Sequence, residues 1–195
     1  MTENYRPVSL TSILVKSVKR IVHKHIMSFV TSHTLLSDSQ HGFREGRSCV
    51  TQLLQLLHSW YSTLENCDLV DVVLLDFAKA FDKVSHHHLL YKLQCYGIRG
   101  LLFSWMQDYL SDRKQRVIVG GYSSDWMEVP SRVPQRSIRG PLLFLLYIND
   151  FPLSVSYNTE LFADDSVLYR KITSEDDCVE LQDGLSSAAS WCDLW

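Results

Sequence analysis

The sequence lacks a long apolar run, a cysteine pattern, an internal repeat and a linker, and each absence narrows its class. Its most apolar stretch, Leu142 to Ile148, is far shorter than the ~20 residues a membrane span needs. No basic region followed by an apolar one opens the chain, so no secretory leader is expected. The five cysteines (Cys49, Cys67, Cys95, Cys178, Cys192) are odd in number, scattered and without a Cys-x-x-Cys pair. That arrangement points away from a disulfide framework or a zinc site and toward a reducing compartment. No stretch rich in Pro, Gly or Ser divides the chain. The expectation is a soluble intracellular protein, in cytoplasm or nucleus, with no membrane partner.

What is present is an ordinary globular balance: 195 residues, 46% hydrophobic, 11% aromatic and 21% charged. This size suits one large domain, or one domain with a satellite. The net charge of −3 seems to exclude a nucleic-acid partner, but it hides a gradient. Residues 1–60 carry 7 positive and 3 negative groups, whereas residues 140–195 carry 2 and 10. Two basic segments, Arg6 to Arg47 and Arg99 to Arg139, allow an electropositive surface despite the acidic total.

Apolar spacing predicts helices over Ser12 to Val30 and Cys49 to Leu64, the second with a stripe of Val50, Leu53, Leu54, Leu57, Trp60, Tyr61 and Leu64. Val70 to Asp76 is short, β-branched and continuous, and reads as a buried strand ending at Asp76. Helical patterns return at His88 to Tyr96, Leu101 to Leu110 and Leu142 to Asn149. Gln115 to Val119 and Ser124 to Val129, joined across Gly120-Gly121, read as a hairpin. Leu161 to Ala163 and Val167 to Tyr169 read as two arms around the turn Asp164-Asp165-Ser166. A weakly amphipathic helix runs from Glu175 onward. The fold class is therefore α/β (α+β), with an antiparallel or mixed sheet packed on helices.

Asp76 and the pair Asp164-Asp165 stand out because carboxylates beside apolar strands are seldom free. If the two strands are neighbours, Asp76 and Asp164 face one point and repel unless a divalent cation neutralises them. Such hard oxygen ligands suit Mg²⁺. Two ions about 3.5–4 Å apart would stabilise both oxygens of an in-line phosphoryl displacement. Two other readings stay open: Asp76 as a helix cap with Asp164-Asp165 as an Asx turn, or a phosphoacceptor aspartate. The run His86-His87-His88 cannot direct three consecutive side chains at one ion, and is read as a helix entry.

Leu75-Asp76-Phe77-Ala78-Lys79-Ala80-Phe81-Asp82 closely resembles the first catalytic motif of reverse transcriptases, and Phe162-Ala163-Asp164-Asp165 resembles the second. Asn4-Tyr5-Arg6-Pro7-Val8-Ser9-Leu10 and His41-Gly42-Phe43-Arg44-Glu45-Gly46-Arg47-Ser48 resemble fingers motifs. Val133-Pro134-Gln135 to Gly140-Pro141-Leu142-Leu143-Phe144 resembles the motif between the catalytic strands. The five stand in family order and resemble the RNA-directed DNA polymerase of LINE-type (non-LTR) retrotransposons, in the branch of the jockey and chicken-repeat elements.

The resemblance implies a fingers-like helical region over 1–66 and a palm-like catalytic region over 67–195. It implies transfer of a nucleotide from a dNTP to a DNA primer 3′-hydroxyl on an RNA template, with Mg²⁺ (Mn²⁺ as a substitute) held by Asp76, Asp164 and Asp165. Phe81 matches the gate against a ribose 2′-hydroxyl, although a core aromatic is also in keeping with that position. Gln135 matches a residue against the nucleotide sugar, and Arg6 a triphosphate contact. Arg44 and Arg47 resemble fingers contacts to template or nucleotide. Arg113, Lys114 and Arg116 suit a nucleic-acid backbone or a solvated hairpin edge.

Two features depart from the family pattern. Arg136 replaces a Gly after Pro-Gln, and Arg139 replaces a hydrophobe, usually Leu. A long cation beside Gln135 is expected to crowd template and nucleotide. The resemblance also stops soon after the acidic turn, without a thumb or an endonuclease, so exposed strand edges and apolar surface are expected. A non-catalytic nucleic-acid-binding remnant is the alternative to a polymerase fragment, and a decayed copy without function is the third.

Overall fold

The computed structural model of the protein describes residues 13–111, 113–129, 131, 140–155 and 157–195. In chain order the elements are α1 (Ile13–Ser32), α2 (Cys49–Leu64), β1 (Leu69–Asp76), α3 (Ala80–Lys83), α4 (His86–Cys95) and α5 (Gly100–Leu110). Four short strands follow: β2 (Lys114–Gln115), β3 (Ile118–Val119), β4 (Tyr122–Ser123) and β5 (Met127–Glu128). Then come α6 (Gly140–Ile148), α7 (Phe151–Ser154), β6 (Asn158–Phe162), β7 (Asp165–Ile172) and α8 (Glu175–Leu194). The architecture is the mixed helix-and-strand type expected, with antiparallel sheets.

The main sheet has the order β1-β7-β6, and both pairings are antiparallel. β1 runs beside β7 from Leu69 opposite Ile172 to Asp76 opposite Asp165. Residues opposite one another share a sheet face. Val73, Leu75, Leu161 and Leu168 thus pack on the inner face against the core. At its centre lies α6, whose residues Leu142 to Ile148 are all buried. A helix apolar all round belongs inside, and each such large side chain contributes about 1.5–3 kcal/mol on burial. α1, α4 and α5 add Ile26, Val30, Leu89, Leu93, Met106 and Leu110 to the same core.

Local chemistry sets the element ends. Ser48 accepts from the Thr51 amide while Thr51 Oγ1 accepts from the Ser48 amide, a reciprocal cap at the start of α2. Ser85 caps α4, so the three histidines do enter a helix. Asp177 Oδ2 accepts from the amides of Thr173 (2.9 Å) and Ser174 (3.0 Å) and fixes the start of α8. These bonds, with the Arg170 guanidinium, hold the Asp177 carboxyl well below the usual range.

Three expectations are corrected. β1 is not buried on both faces: it is an edge strand among the described residues, with Leu69, Val72 and Leu74 exposed. α2 has the expected bounds, but most of its stripe (Val50, Leu53, Leu54, Leu57, Tyr61, Leu64) faces outward, while Gln52 and Leu56 are buried. Its inner side meets the sheet through polar groups, with Gln55 Nε2 donating to Glu160 Oε1 at 2.7 Å. The acidic turn is shorter than expected. Only Ala163 and Asp164 connect β6 to β7, and Asp165 and Ser166 already belong to β7. The ribbon over 114–128 forms as a hairpin but is broken into two two-residue pairings, β2 with β5 and β3 with β4.

No described helix is long and apolar enough to cross a membrane. Residues 1–12 and 132–139, which hold Arg6, Gln135, Arg136 and Arg139, lie outside the described residues.

Candidate functional site

Asp76 closes β1 and Asp165 opens β7, and the two are register partners. They occupy one sheet face with Cα atoms about 4.5–5.5 Å apart by the geometry of antiparallel pairs. Both are exposed, and Asp164 sits half-buried in the adjoining turn. The first turn residue, Ala163, has φ +58°, while Asp164 does not share the positive φ. This is the sign pattern of a type II′ connection, which usually takes glycine at its first position.

Like charges directly opposite are unfavourable, so this end of the sheet suits a hard cation. Mg²⁺ needs only one or two carboxylates, completed by water and phosphate oxygens. Among the described residues no three His, Cys, Asp or Glu side chains converge as a ready-made metal cluster.

The segment 37–48 runs alongside this turn. His41 N donates to Leu161 O, and Leu161 N donates to Ser39 O, both at 2.8 Å, making a short parallel bridge to β6. Gln40 is 1% exposed and its carboxamide reaches Ala163. Gly42 is buried against the same residue, where a Cβ would collide with the Ala163 backbone nitrogen.

Beside this contact lies a second buried polar group. Glu160 and His41 side chains are 7% and 3% exposed, with Oε2 and Nε2 3.3 Å apart. His41 Nδ1 lies 3.1 Å from Thr51 Oγ1. Burial pushes the Glu160 carboxyl up to about 7. Burial, helped by the charges of Arg47 and Arg44, holds the His41 imidazole below its ordinary value.

The other sequence candidates are placed as follows. Phe81, in α3, is half-buried and stacks on Phe144 with centroids 4.4 Å apart, so it packs as a core aromatic. Arg44 donates through Nη1 to Ser37 O (2.6 Å) and Gln40 O (3.3 Å). Arg47 pairs with Asp38 through Nη2 (2.7 Å) and donates to its carbonyl. Both guanidiniums therefore knit the 37–48 loop. Arg113 lies over the Tyr109 ring at 5.5 Å and Arg116 over the Trp126 ring at 5.0 Å. Lys114 and Arg116 are exposed on the ribbon with Tyr122 and Trp126.

Gln40, His41 and Glu160 were not among the sequence candidates. Glu160 reads as the outward polar position of an alternating strand, and only the approach of α2 buries it. Gln40 carries no signal of its own beyond preceding the resembled segment His41-Gly42-Phe43-Arg44, and His41 only its place as the first residue of that segment.

The chain matches the family described as reverse transcriptase (RNA-dependent DNA polymerase) over residues 2–195. It is 30% identical to a probable RNA-directed DNA polymerase from transposon BS of Drosophila melanogaster over 208 residues, covering 99% of this chain and 22% of that protein. A probable RNA-directed DNA polymerase from transposon X-element of the same species is 30% identical, with 98% and 22% covered. The RNA-directed DNA polymerase from mobile element jockey is 28% identical, with 99% and 22% covered. The chain thus spans about a fifth of the length of these relatives.

Proposed function

The chain belongs to the reverse transcriptase (RNA-dependent DNA polymerase) family, and we propose that it is the part of a non-LTR retrotransposon polymerase that carries out nucleotidyl transfer. The observation that carries this reading is the pairing of Asp76 with Asp165 beside the Ala163-Asp164 turn. Residues 1–66 would serve as fingers and 67–195 as palm.

In this reading Asp76, Asp164 and Asp165 hold Mg²⁺, with Mn²⁺ as a substitute. When bound, the ions neutralise charge on the attacking primer 3′-hydroxyl and on the triphosphate of the incoming dNTP. The protein's own contribution is placement. The register of β1 on β7 brings two carboxylates to one face, and the two-residue turn adds the third. Phe81, anchored on Phe144, stands five residues beyond Asp76 as the gate for the sugar. Arg6 and Gln135 are assigned to the nucleotide by family resemblance alone. RNA template and DNA primer are the implied partners.

Primer extension on an RNA template with dNTPs and Mg²⁺ or Mn²⁺ tests the reading, with Asp164→Ala/Asp165→Ala as the control. Incorporation that survives the double change refutes the carboxylate assignment. The exposed cations Lys114 and Arg116 beside Trp126 and Tyr122 favour one second reading, a nucleic-acid-binding module without catalysis. Salt-sensitive binding without incorporation would select it.

A further inference from the structure

We infer that Gln40 is a positioning residue that clasps the acidic turn, a role that rests on the polymerase reading above. The hairpin ladder closes through Phe162 and Asp165, which leaves the amide of Ala163 outside it. A buried amide without a partner is costly. Here the partner comes from a distant segment: Ala163 N donates to Gln40 Oε1 at 2.9 Å. The same oxygen accepts from Gly42 N at 2.7 Å, and Gln40 Nε2 donates to Ala163 O at 3.4 Å. One carboxamide thus holds both backbone polar groups of Ala163.

Ala163 adopts φ +58°, a conformation an L side chain resists. The residue therefore needs outside support to keep that conformation. The two residues it delivers next are Asp164 and Asp165. Gln40 is itself fixed from both sides, by the bridge of Ser39 and His41 to Leu161 and by Gly42 pressed on Ala163. Its side chain touches no reacting group. It sets where the carboxylates stand, as outer partners of metal ligands do.

The test compares four forms of the 195-residue chain: wild type, Gln40→Met, Gln40→Glu and Asp164→Ala/Asp165→Ala. Circular dichroism checks folding, amide hydrogen exchange reads Ala163, and Mn²⁺ affinity is measured by electron paramagnetic resonance. Gln40→Met keeps the shape and removes every hydrogen bond. It is expected to speed Ala163 exchange and to weaken Mn²⁺ binding about tenfold. Gln40→Glu keeps the acceptor for both amides and is expected to restore protection of Ala163. If Gln40→Met unfolds, Gln40→Asn replaces it, because one methylene less withdraws the carboxamide while leaving it polar.

A Gln40→Met protein that folds and binds Mn²⁺ like wild type overturns the positioning role, as does unchanged exchange at Ala163. If wild type and Asp164→Ala/Asp165→Ala bind Mn²⁺ alike, the metal-site reading falls and the positioning role falls with it. The two failures leave different patterns across the four proteins.

Discussion

His41 Nε2 and Glu160 Oε2 lie 3.3 Å apart in a buried polar cluster. The Thr51 hydroxyl gives its proton to Ser48 O at 2.8 Å, so it can only accept from His41 Nδ1, which therefore carries the ring proton. Nε2 is left to accept from Arg47 Nη1 at 3.4 Å, while Glu160 Oε2 beside it is buried without a hydrogen-bond partner among the described residues. Burial raises the Glu160 carboxyl to about 7, so in the folded chain it keeps its proton up to about that pH.

A pH dependence of stability follows from that proton. Between the ordinary glutamate value of 4.5 and about 7 the folded chain keeps a proton at Glu160 that the unfolded chain has released. Stability from this group therefore falls as pH rises through that window and is flat above it. His41 acts oppositely: its lowered folded value costs stability as pH drops below about 6.5. Comparison with Glu160→Gln isolates the first effect. The stability of wild type minus that of the variant is expected to fall by about 3 kcal/mol at most from pH 4.5 to 7.5. Urea unfolding at a series of pH values measures it, and a constant difference rejects the raised Glu160 carboxyl.

Gly42 is needed for space rather than for backbone freedom. A Cβ there would meet the backbone of Ala163, which cannot swing aside as a side chain does. Gly46 has φ +74° but open space around it. Gly42→Ala is expected to cost about 1–3 kcal/mol as overpacking, and Gly46→Ala only about 1 kcal/mol from left-handed backbone. Thermal unfolding should rank them in that order; the reverse ranking shows that the 42–163 contact yields.

Lys92 is a buried ammonium in an aromatic enclosure. Its Nζ donates to Asp150 Oδ1 at 2.5 Å and to Tyr147 O at 2.6 Å, and it lies 3.8 Å from the Trp195 ring centroid. Burial lowers its pKa, while Asp150 opposes that shift. Lys92→Ala removes both charge and stem and is expected to cost about 3–5 kcal/mol. Lys92→Met refills the volume among the rings, and Asp150, being partly exposed, is rehydrated. The Met form should recover more than half of the loss in chemical unfolding. Equal losses would mean that the charge, not the packed stem, joins α4 to α6 and α8.

α1, α2, α4, α5, α8 and β1 are legible because their apolar spacing is periodic or continuous, and α6 because it is apolar all round; the four-residue α3 and α7 are too short to show a period. Burial was less legible. The α2 stripe gives the helix but not the direction it faces, because Gln52 and Gln55 answer polar groups that only the assembled sheet presents. The acidic turn was expected one residue too late, since Ala163 shows no left-handed preference in sequence. Its conformation depends on Gln40, 123 positions away, and no local pattern reports such a partner. Arg44 and Arg47 are expected from the resemblance as contacts to template or nucleotide, and nothing in the sequence reports their ties within their own loop.

Arg136 is the last point at which sequence bears on activity. The resembled pattern has Gly there, next to Gln135, and the resemblance implies a close approach of template and nucleotide at that point. On the proposed polymerase reading a guanidinium there adds bulk and a fixed charge where the resemblance implies a dNTP, while the carboxylates of Asp76, Asp164 and Asp165 are unchanged. Arg136→Gly is therefore expected to raise primer extension at least about tenfold, equivalent to about 1.4 kcal/mol of barrier. Mn²⁺ affinity, which the proposal assigns to the carboxylates, should not move. Single-turnover extension on an RNA template compares the two proteins directly. Equal rates would show that Arg136 does not obstruct the nucleotide. A faster variant with altered Mn²⁺ affinity would instead place the effect at the proposed carboxylate site.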